Sequence, residues 1–170
     1  MMIGITGTPG TGKSTIAGIL ERRGHVVVRA GETVGPFVLG DDPARDTKIV
    51  DEEAWAAAFT PIDGFVEGHL AHLLPCDRII VLRCRPDVLE ARLVARGYAE
   101  AKVRENAEAE ALDVILVETL ENFERNVVLE IDTTTTGPEE AADLIAGFAA
   151  GTVPPSSGSF DWSAYLLEGL

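Results

Sequence analysis

Lysine is scarce in this chain: Lys13, Lys48 and Lys102 are the only three, and the other 11 of its 14 basic residues are arginine. Acids number 28, which leaves a formal charge of −14 at pH 7. Such an excess disfavours non-specific contact with a nucleic acid backbone and permits a basic protein partner. It also self-repels in dilute buffer. At molar salt the screening length falls to about 3 Å, so the composition predicts a protein of a salt-loaded cytoplasm, with an ordinary acidic cytosolic protein as the alternative. Cysteine is equally sparse. Cys76 and Cys84 cannot staple a 170-residue fold and fit a reducing compartment. No uncharged apolar run approaches the roughly 18 to 20 residues of a membrane span, and the opening MMIGITGTPG lacks a basic stretch ahead of an apolar core. A cytoplasmic protein without a membrane is therefore expected. Apolar residues still make up 46% of the chain, too many for disorder, and the length suits one compact domain.

Short apolar runs alternate with helical periodicity. Strands are expected at Met2 to Thr6, His25 to Arg29, Phe65 and Val66, Arg78 to Arg83, and Val127 to Ile131. Helices are expected from Ser14 to Arg23 before Gly24, from the Asp51 cap to Phe59, from Pro86 to Arg96 before Gly97, from about Lys102 to Phe123, and from Pro138 to about Ala149. Residues 30–50 contain glycine and show weak periodicity. This alternation implies a parallel sheet covered on both faces. From Gly151 the composition shifts to TVPPSSGS, read as a flexible connector. Three of the ten aromatic residues, Phe160, Trp162 and Tyr165, follow it, either as a tail docked on its own core or as a partner-binding segment.

Gly7-Thr8-Pro9-Gly10-Thr11-Gly12-Lys13-Ser14 matches G-x-x-x-x-G-K-[ST] at every fixed position, between an expected strand and an expected helix. Gly10 and Gly12 leave room for backbone amides to converge on phosphate oxygens at the positive end of the helix. Lys13 adds a point charge between the terminal phosphates of ATP, the Ser14 hydroxyl suits Mg²⁺, and Thr15 falls beside the α-phosphate. A carboxylate is then needed at a neighbouring strand end, and Glu67 fits that place for the metal, against the alternative of a solvated strand-end acid. His69 is better suited to position a water or phosphate than to bind a metal. With His72 and Cys76 it mimics a zinc spacing, but no fourth ligand stands nearby and a helical histidine face is the commoner arrangement. Arg92 and Arg96, four apart on one helix, read as phosphate clamps or as surface partners of Glu90 and Glu100. Arg83 and Arg85 also fall on the carboxyl edge of the sheet, where α/β folds bind ligands.

Taken together, TGTPGTGKST, VEGH, IIVLRC and RLVARGYAEAKVRENAEAEALDV resemble the adenylate kinase isoenzyme 6 family, the coilin-interacting nuclear ATPases, in its archaeal form. The likeness covers about residues 2 to 149, and its most specific element is Arg96-Gly97-Tyr98 followed by Lys102, Glu105, Asn106 and Glu110. The resemblance implies a P-loop three-layer α/β/α domain at residues 1–150 with a five-stranded parallel sheet. It further implies a monophosphate-binding segment at about 29–50 and a short lid at about 95–106, and the compositional shift leaves residues 151–170 as a connector and aromatic tail outside the kinase domain. The activity implied is ATP + AMP ⇌ 2 ADP with Mg²⁺, a side ATPase activity, and a role in maturing the small ribosomal subunit with protein uS11 as partner. Gly10, Gly12, Lys13, Ser14 and Thr15 match the family's ATP loop, Arg96 its lid arginine, and Glu67 and His69 its acid-x-His element, where many relatives have aspartate. The arginine expected shortly after Gly31-Glu32 is absent, which leaves Arg29 or Arg45 for the AMP phosphate. The alternative functions are an ATPase that switches a ribosomal protein partner and a small kinase of a sugar or metabolite. The second strand lacks the aspartate pair of shikimate-type kinases, which weighs against the metabolite kinase.

Overall fold

The computed structural model describes residues 1–43 and 47–168. Its elements are β1 (Met2–Gly7), α1 (Lys13–Arg22), β2 (Val27–Arg29), β3 (Val38–Asp42), β4 (Thr47–Val50), α2 (Glu52–Ala58) and β5 (Gly64–Glu67). They continue with β6 (Arg78–Arg83), α3 (Pro86–Ala95), α4 (Glu100–Ala111), α5 (Val114–Asn122), β7 (Val128–Asp132), α6 (Pro138–Ala150) and α7 (Tyr165–Glu168). Five strands form one sheet in the order β2-β5-β1-β6-β7, and every neighbouring pair is parallel. This is the α/β architecture that alternating strands and helices imply, with the central strand β1 feeding the glycine-rich loop.

Parallel strands need covered faces, and their side chains alternate to meet that need. Ile3 and Ile5 of β1, Ile80 and Leu82 of β6, and Ile131 of β7 pack on Ile16 and Leu20 of α1 and on Ile145 and Phe148 of α6. The intervening residues face the other way: Met2 and Val66 meet Trp55 of α2, while Ile79, Val81 and Val128 meet Leu116 of α5. Each such side chain, once buried, stabilises the fold by about 1.5 to 3 kcal/mol. Among the described residues no helix is long and apolar enough to cross a membrane.

The structure departs from the sequence reading in four places. The second strand begins at Val27, not His25, because the His25 N–H still closes α1 by donating to the Leu20 carbonyl at 3.0 Å. Within residues 30–50, read as weakly periodic, β3 and β4 pair antiparallel from Val38↔Val50 to Asp42↔Thr47. Their strand signal is faint because Gly40, Asp41 and Asp42 are poor strand formers. The single helix expected from Lys102 to Phe123 is two, α4 and α5, separated at Asp113, whose φ of 56° lies in the left-handed region that aspartate tolerates better than most side chains. Finally, the connector after Gly151 lies along the open edge of β7. The Ser156 N–H donates to Val128 O at 3.0 Å, and the Glu130 N–H donates to Ser156 O at 2.8 Å. Unpaired groups on an edge strand attract such pairing. The aromatic tail then docks on its own chain, with the Tyr165 hydroxyl donating to Glu90 at 2.7 Å.

Candidate active site

The loop after β1 lies tight against α3. Gly10 has φ 93°, and a Cβ there would stand 2.8 Å from Leu89 Cδ1 and 3.0 Å from Leu93 Cδ2, so only glycine fits this turn at this distance. Thr11 closes the bend, donating its N–H at 3.2 Å and its hydroxyl at 2.9 Å to the Thr8 carbonyl. Lys13 opens α1 and folds back beneath the loop, donating to Gly7 O at 2.6 Å and Thr8 O at 3.0 Å. Burial, joined by the nearby Arg96, pushes its pKa down to about 8 against the pull of Glu67 and Glu110.

Across from Lys13, β5 ends in the buried Glu67. Its carboxylate accepts the Ser14 hydroxyl at 3.2 Å and the Arg29 guanidinium at 3.3 Å, while the other arm of Arg29 binds Glu21 at 2.7 Å. His69 follows, with its ring exposed to the cleft. The protein around it removes enough water, and Lys13, His72 and Lys102 add enough positive charge, to push its pKa down to about 4. The imidazole is therefore neutral at pH 7. His72 points elsewhere: it is buried between Thr6 Oγ1, 3.0 Å from Nδ1, and Glu118, 2.9 Å from Nε2, and ties β1 to α5. Cys76 donates to the Ala71 carbonyl at 3.8 Å, and burial pushes its thiol up to about 12. Among the described residues no three His, Cys, Asp or Glu side chains are grouped to hold a metal ion by themselves.

Three adjoining hollows make one cleft. The middle one, about 480 Å³, is lined by Lys13, Ser14, Arg29, Glu67, His69 and Arg96. Toward α3, a hollow of about 540 Å³ runs between Thr15, Arg92 and the threonine run 133–136, and shares Gly10, Gly12 and Arg96 with the middle one. On the other side, about 780 Å³ opens between the β3–β4 pair, Trp55 and Lys102 of α4, sharing Gly31, Gly68 and His69. Gly10, Gly12, Lys13, Ser14, Thr15, Glu67, His69, Arg92 and Arg96 thus all line the cleft, with Arg92 at one end of it. Arg92 donates to Thr133 Oγ1 at 3.1 Å, Thr133 O at 2.7 Å and Gly10 O at 3.5 Å rather than pairing with Glu90.

The other arginines sort differently from the sequence reading. Arg83, expected on the ligand edge, is buried and engaged by Glu110, Glu130 and Asp113. Arg85 is exposed and pairs with Asp87 at 2.6 Å, away from the three hollows. Arg29 faces the middle hollow, not the larger one, and Arg45 lies outside the described residues. The sequence reading missed Thr133, whose hydroxyl sits 2.9 Å from the carbonyls of both Thr11 and Arg83, and Trp55, whose indole N–H donates to Thr33 at 2.8 Å. The structural part of Glu110 was missed as well. Its signal was present: Val103, Asn106, Ala107, Glu110 and Ala111 form the buried stripe of α4 at helical spacing, and an acid on such a stripe calls for a partner.

Residues 3–113 match the family described as an AAA domain. A protein of Methanothermobacter thermautotrophicus named "Putative adenylate kinase" is 49% identical over 98% of this chain and 99% of its own length. A protein of the same name from Natronomonas pharaonis is 43% identical over 98% of this chain and the whole of its own. Among solved structures, the YorR protein of Bacillus subtilis in complex with phosphorylated GDP shares the fold, with a TM-score of 0.59 at 13% identity over 88% of this chain and 96% of that one. With its phosphate-type loop at the end of a central parallel strand and relatives aligned along nearly its whole length, the chain belongs to the family of these archaeal proteins.

Proposed function

We propose that the chain is a nucleoside monophosphate kinase that transfers the terminal phosphoryl group of ATP to AMP, yielding two ADP. The observation that carries this reading is the cleft with two ends: hollows of about 540 and 780 Å³ flank the Lys13 pocket, and each shares wall residues with it. Each volume falls in the range of nucleotide-sized sites, so donor and acceptor meet over one lysine. The names of the archaeal relatives point the same way.

The donor base and ribose occupy the hollow between Arg92 and residues 133–136, with Thr15 beside the α-phosphate. Amides of the loop around Gly10 and Gly12, together with Lys13 and Arg96, hold the polyphosphate. Ser14 and Glu67 offer two oxygens 3.2 Å apart on the same pocket, a hard-donor pair that suits Mg²⁺, which when bound would neutralise phosphate charge. The acceptor occupies the larger hollow, between the monophosphate segment at 29–50 and the lid at 95–106. Among its described lining residues the cations are Lys48 and Lys102, so these two lysines stand where an arginine was expected for the AMP phosphate.

An acceptor phosphate is already ionised at pH 7, so no general base is needed, and positioning with charge neutralisation carries the rate. That agrees with a His69 held neutral, able to orient the incoming phosphate by hydrogen bonding without adding charge. Residues 95–106, beginning at the turn of Gly97 with φ 77°, close over the cleft and exclude water; loose closure admits water as acceptor and gives a side ATPase activity. ADP formation from ATP over a panel of monophosphates tests the reading: AMP-dependent ADP supports it, and phosphate release indifferent to any monophosphate refutes it.

A second reading keeps the nucleotide site but makes it the switch of an assembly factor of the small ribosomal subunit, as the resemblance to adenylate kinase isoenzyme 6 implies. The charge of −14 favours it, because an acidic surface complements a basic ribosomal protein such as uS11. Nucleotide-dependent binding of purified uS11 supports this reading, and absence of binding at physiological salt refutes it.

A further inference from the structure

Arg83 stands behind the cleft, lies against Trp162 of the tail and reaches the phosphate loop through Glu110. Its Nε donates to Glu110 at 2.9 Å, one terminal nitrogen to Glu130 at 2.5 Å, and the other to the Asp113 carboxylate and to the Glu110 carbonyl at 3.3 Å. One guanidinium among three carboxylates leaves negative charge to be shared by other donors. Cys84 N–H gives one bond to Glu110 at 3.1 Å, and the tail gives two to Glu130, from Gly158 N–H and from Ser159 N–H at 3.3 Å. The face of the guanidinium is covered by Trp162, whose ring centroid lies 4.8 Å from Cζ, and Phe160 stacks on Trp162 at 5.7 Å. On the loop side, the second oxygen of Glu110 accepts the Thr8 hydroxyl, and the Thr8 carbonyl accepts Lys13 at 3.0 Å. Contacts therefore run unbroken from Trp162 through Arg83, Glu110 and Thr8 to Lys13.

We infer that the C-terminal segment is a positioning element for the phosphate loop: Trp162 and the backbone of residues 158–159 fix Arg83 and Glu130, and thereby hold Glu110 against Thr8. An arginine is long and has many rotamers, and it presents one geometry only when both its edges and its faces are engaged. Without the indole the guanidinium is free to shift toward Glu130 and Asp113. Glu110 then loses its charged partner, Thr8 loses its fixed acceptor, and the carbonyl that steadies Lys13 turns with it. Trp162 touches no nucleotide and acts only through Arg83.

The inference rests on ATP occupying the loop, as proposed above. Steady-state kinetics and Mg·ATP calorimetry on the full chain test it. Trp162→Ala raises KM and Kd for ATP about three- to tenfold, between an exposed and a fully desolvated cation–π contact as suits a half-buried indole, and leaves the AMP KM within about twofold. Trp162→Phe keeps an aromatic face and restores most of the loss. Tyr165→Phe removes the contact with Glu90 alone and leaves the ATP KM unchanged. A chain ending at Ser159 keeps the edge pairing, lacks the indole and behaves as Trp162→Ala. The inference is overturned if ATP binding by Trp162→Ala and by the shortened chain equals that of the wild type. It is also overturned if the ATP and AMP constants rise together in proportion to lost thermal stability, which is what a tail that only braces the fold would do. A wild-type chain that binds no Mg·ATP overturns the functional reading and this inference with it.

Discussion

Raising the pH above 8 will weaken nucleotide binding and strengthen the empty fold, and both effects trace to Lys13. Lys13 is 8% exposed, its ammonium is bonded to two neutral carbonyls, and burial brings its pKa from 10.5 to about 8. Between those two values the unfolded chain holds more protons than the folded one, so stability rises with pH through that window. The drop from 10.5 to about 8 corresponds to about 3 kcal/mol of stability in all. Binding has the opposite sign, because a phosphate needs the protonated amine. The protonated form falls about fivefold from pH 8 to 9 and close to tenfold over the next unit, and kcat/KM for ATP falls with it. The assay is kcat/KM from about pH 6.5 to 10, paired with urea unfolding of the nucleotide-free protein over the same range. Lys13→Arg carries its charge through the window and moves the alkaline limb upward. Lys13→Met removes the titrating group, so the stability it gains over wild type near neutral pH shrinks by about 3 kcal/mol as the pH passes from about 8 to 10.5. A flat kcat/KM profile over this range, or a limb left in place by Lys13→Arg, would refute the assignment of the charge to the loop.

Three further outcomes follow from the same geometry. Arg83→Met leaves Glu110, Glu130 and Asp113 without their cation and costs about 3 to 5 kcal/mol in urea unfolding; a loss below about 1 kcal/mol contradicts the buried network. Lys102→Ala raises the AMP KM about tenfold, the loss of one charged hydrogen bond, with the ATP KM nearly constant; equal rises in both would remove Lys102 from the acceptor site. With a formal charge of −14, thermal stability should climb between dilute buffer and molar potassium chloride, and an unchanged melting temperature contradicts the salt-loaded cytoplasm.

The phosphate loop was legible in the sequence because its chemistry needs adjacent residues: glycines that turn, a lysine and a hydroxyl at the first turn of a helix. The five-stranded sheet was legible because buried strands read as apolar runs. What escaped depends on contacts between distant positions. Arg83 sits at a strand end where ligands bind, and only the folding of α4 and the tail around it turns it inward. Thr133 staples Arg92 to the loop across more than a hundred residues of chain, and nothing local marks it apart from the run of threonines. The β3–β4 pair was hidden by Gly40, Asp41 and Asp42, whose weak strand propensity is offset by cross-strand pairing. The stretch after Gly151 reads as a linker by composition, yet the open edge of β7 supplies the partners that composition does not encode.

The central claim is that two nucleotides meet head to head above Lys13. Calorimetric titration with a diadenosine pentaphosphate, which spans both ends of the cleft, tests it most directly. One molecule should bind per chain, and saturating it should abolish the binding of both ATP and AMP. Competition with ATP alone, with AMP binding undisturbed, would contradict a single cleft shared by donor and acceptor.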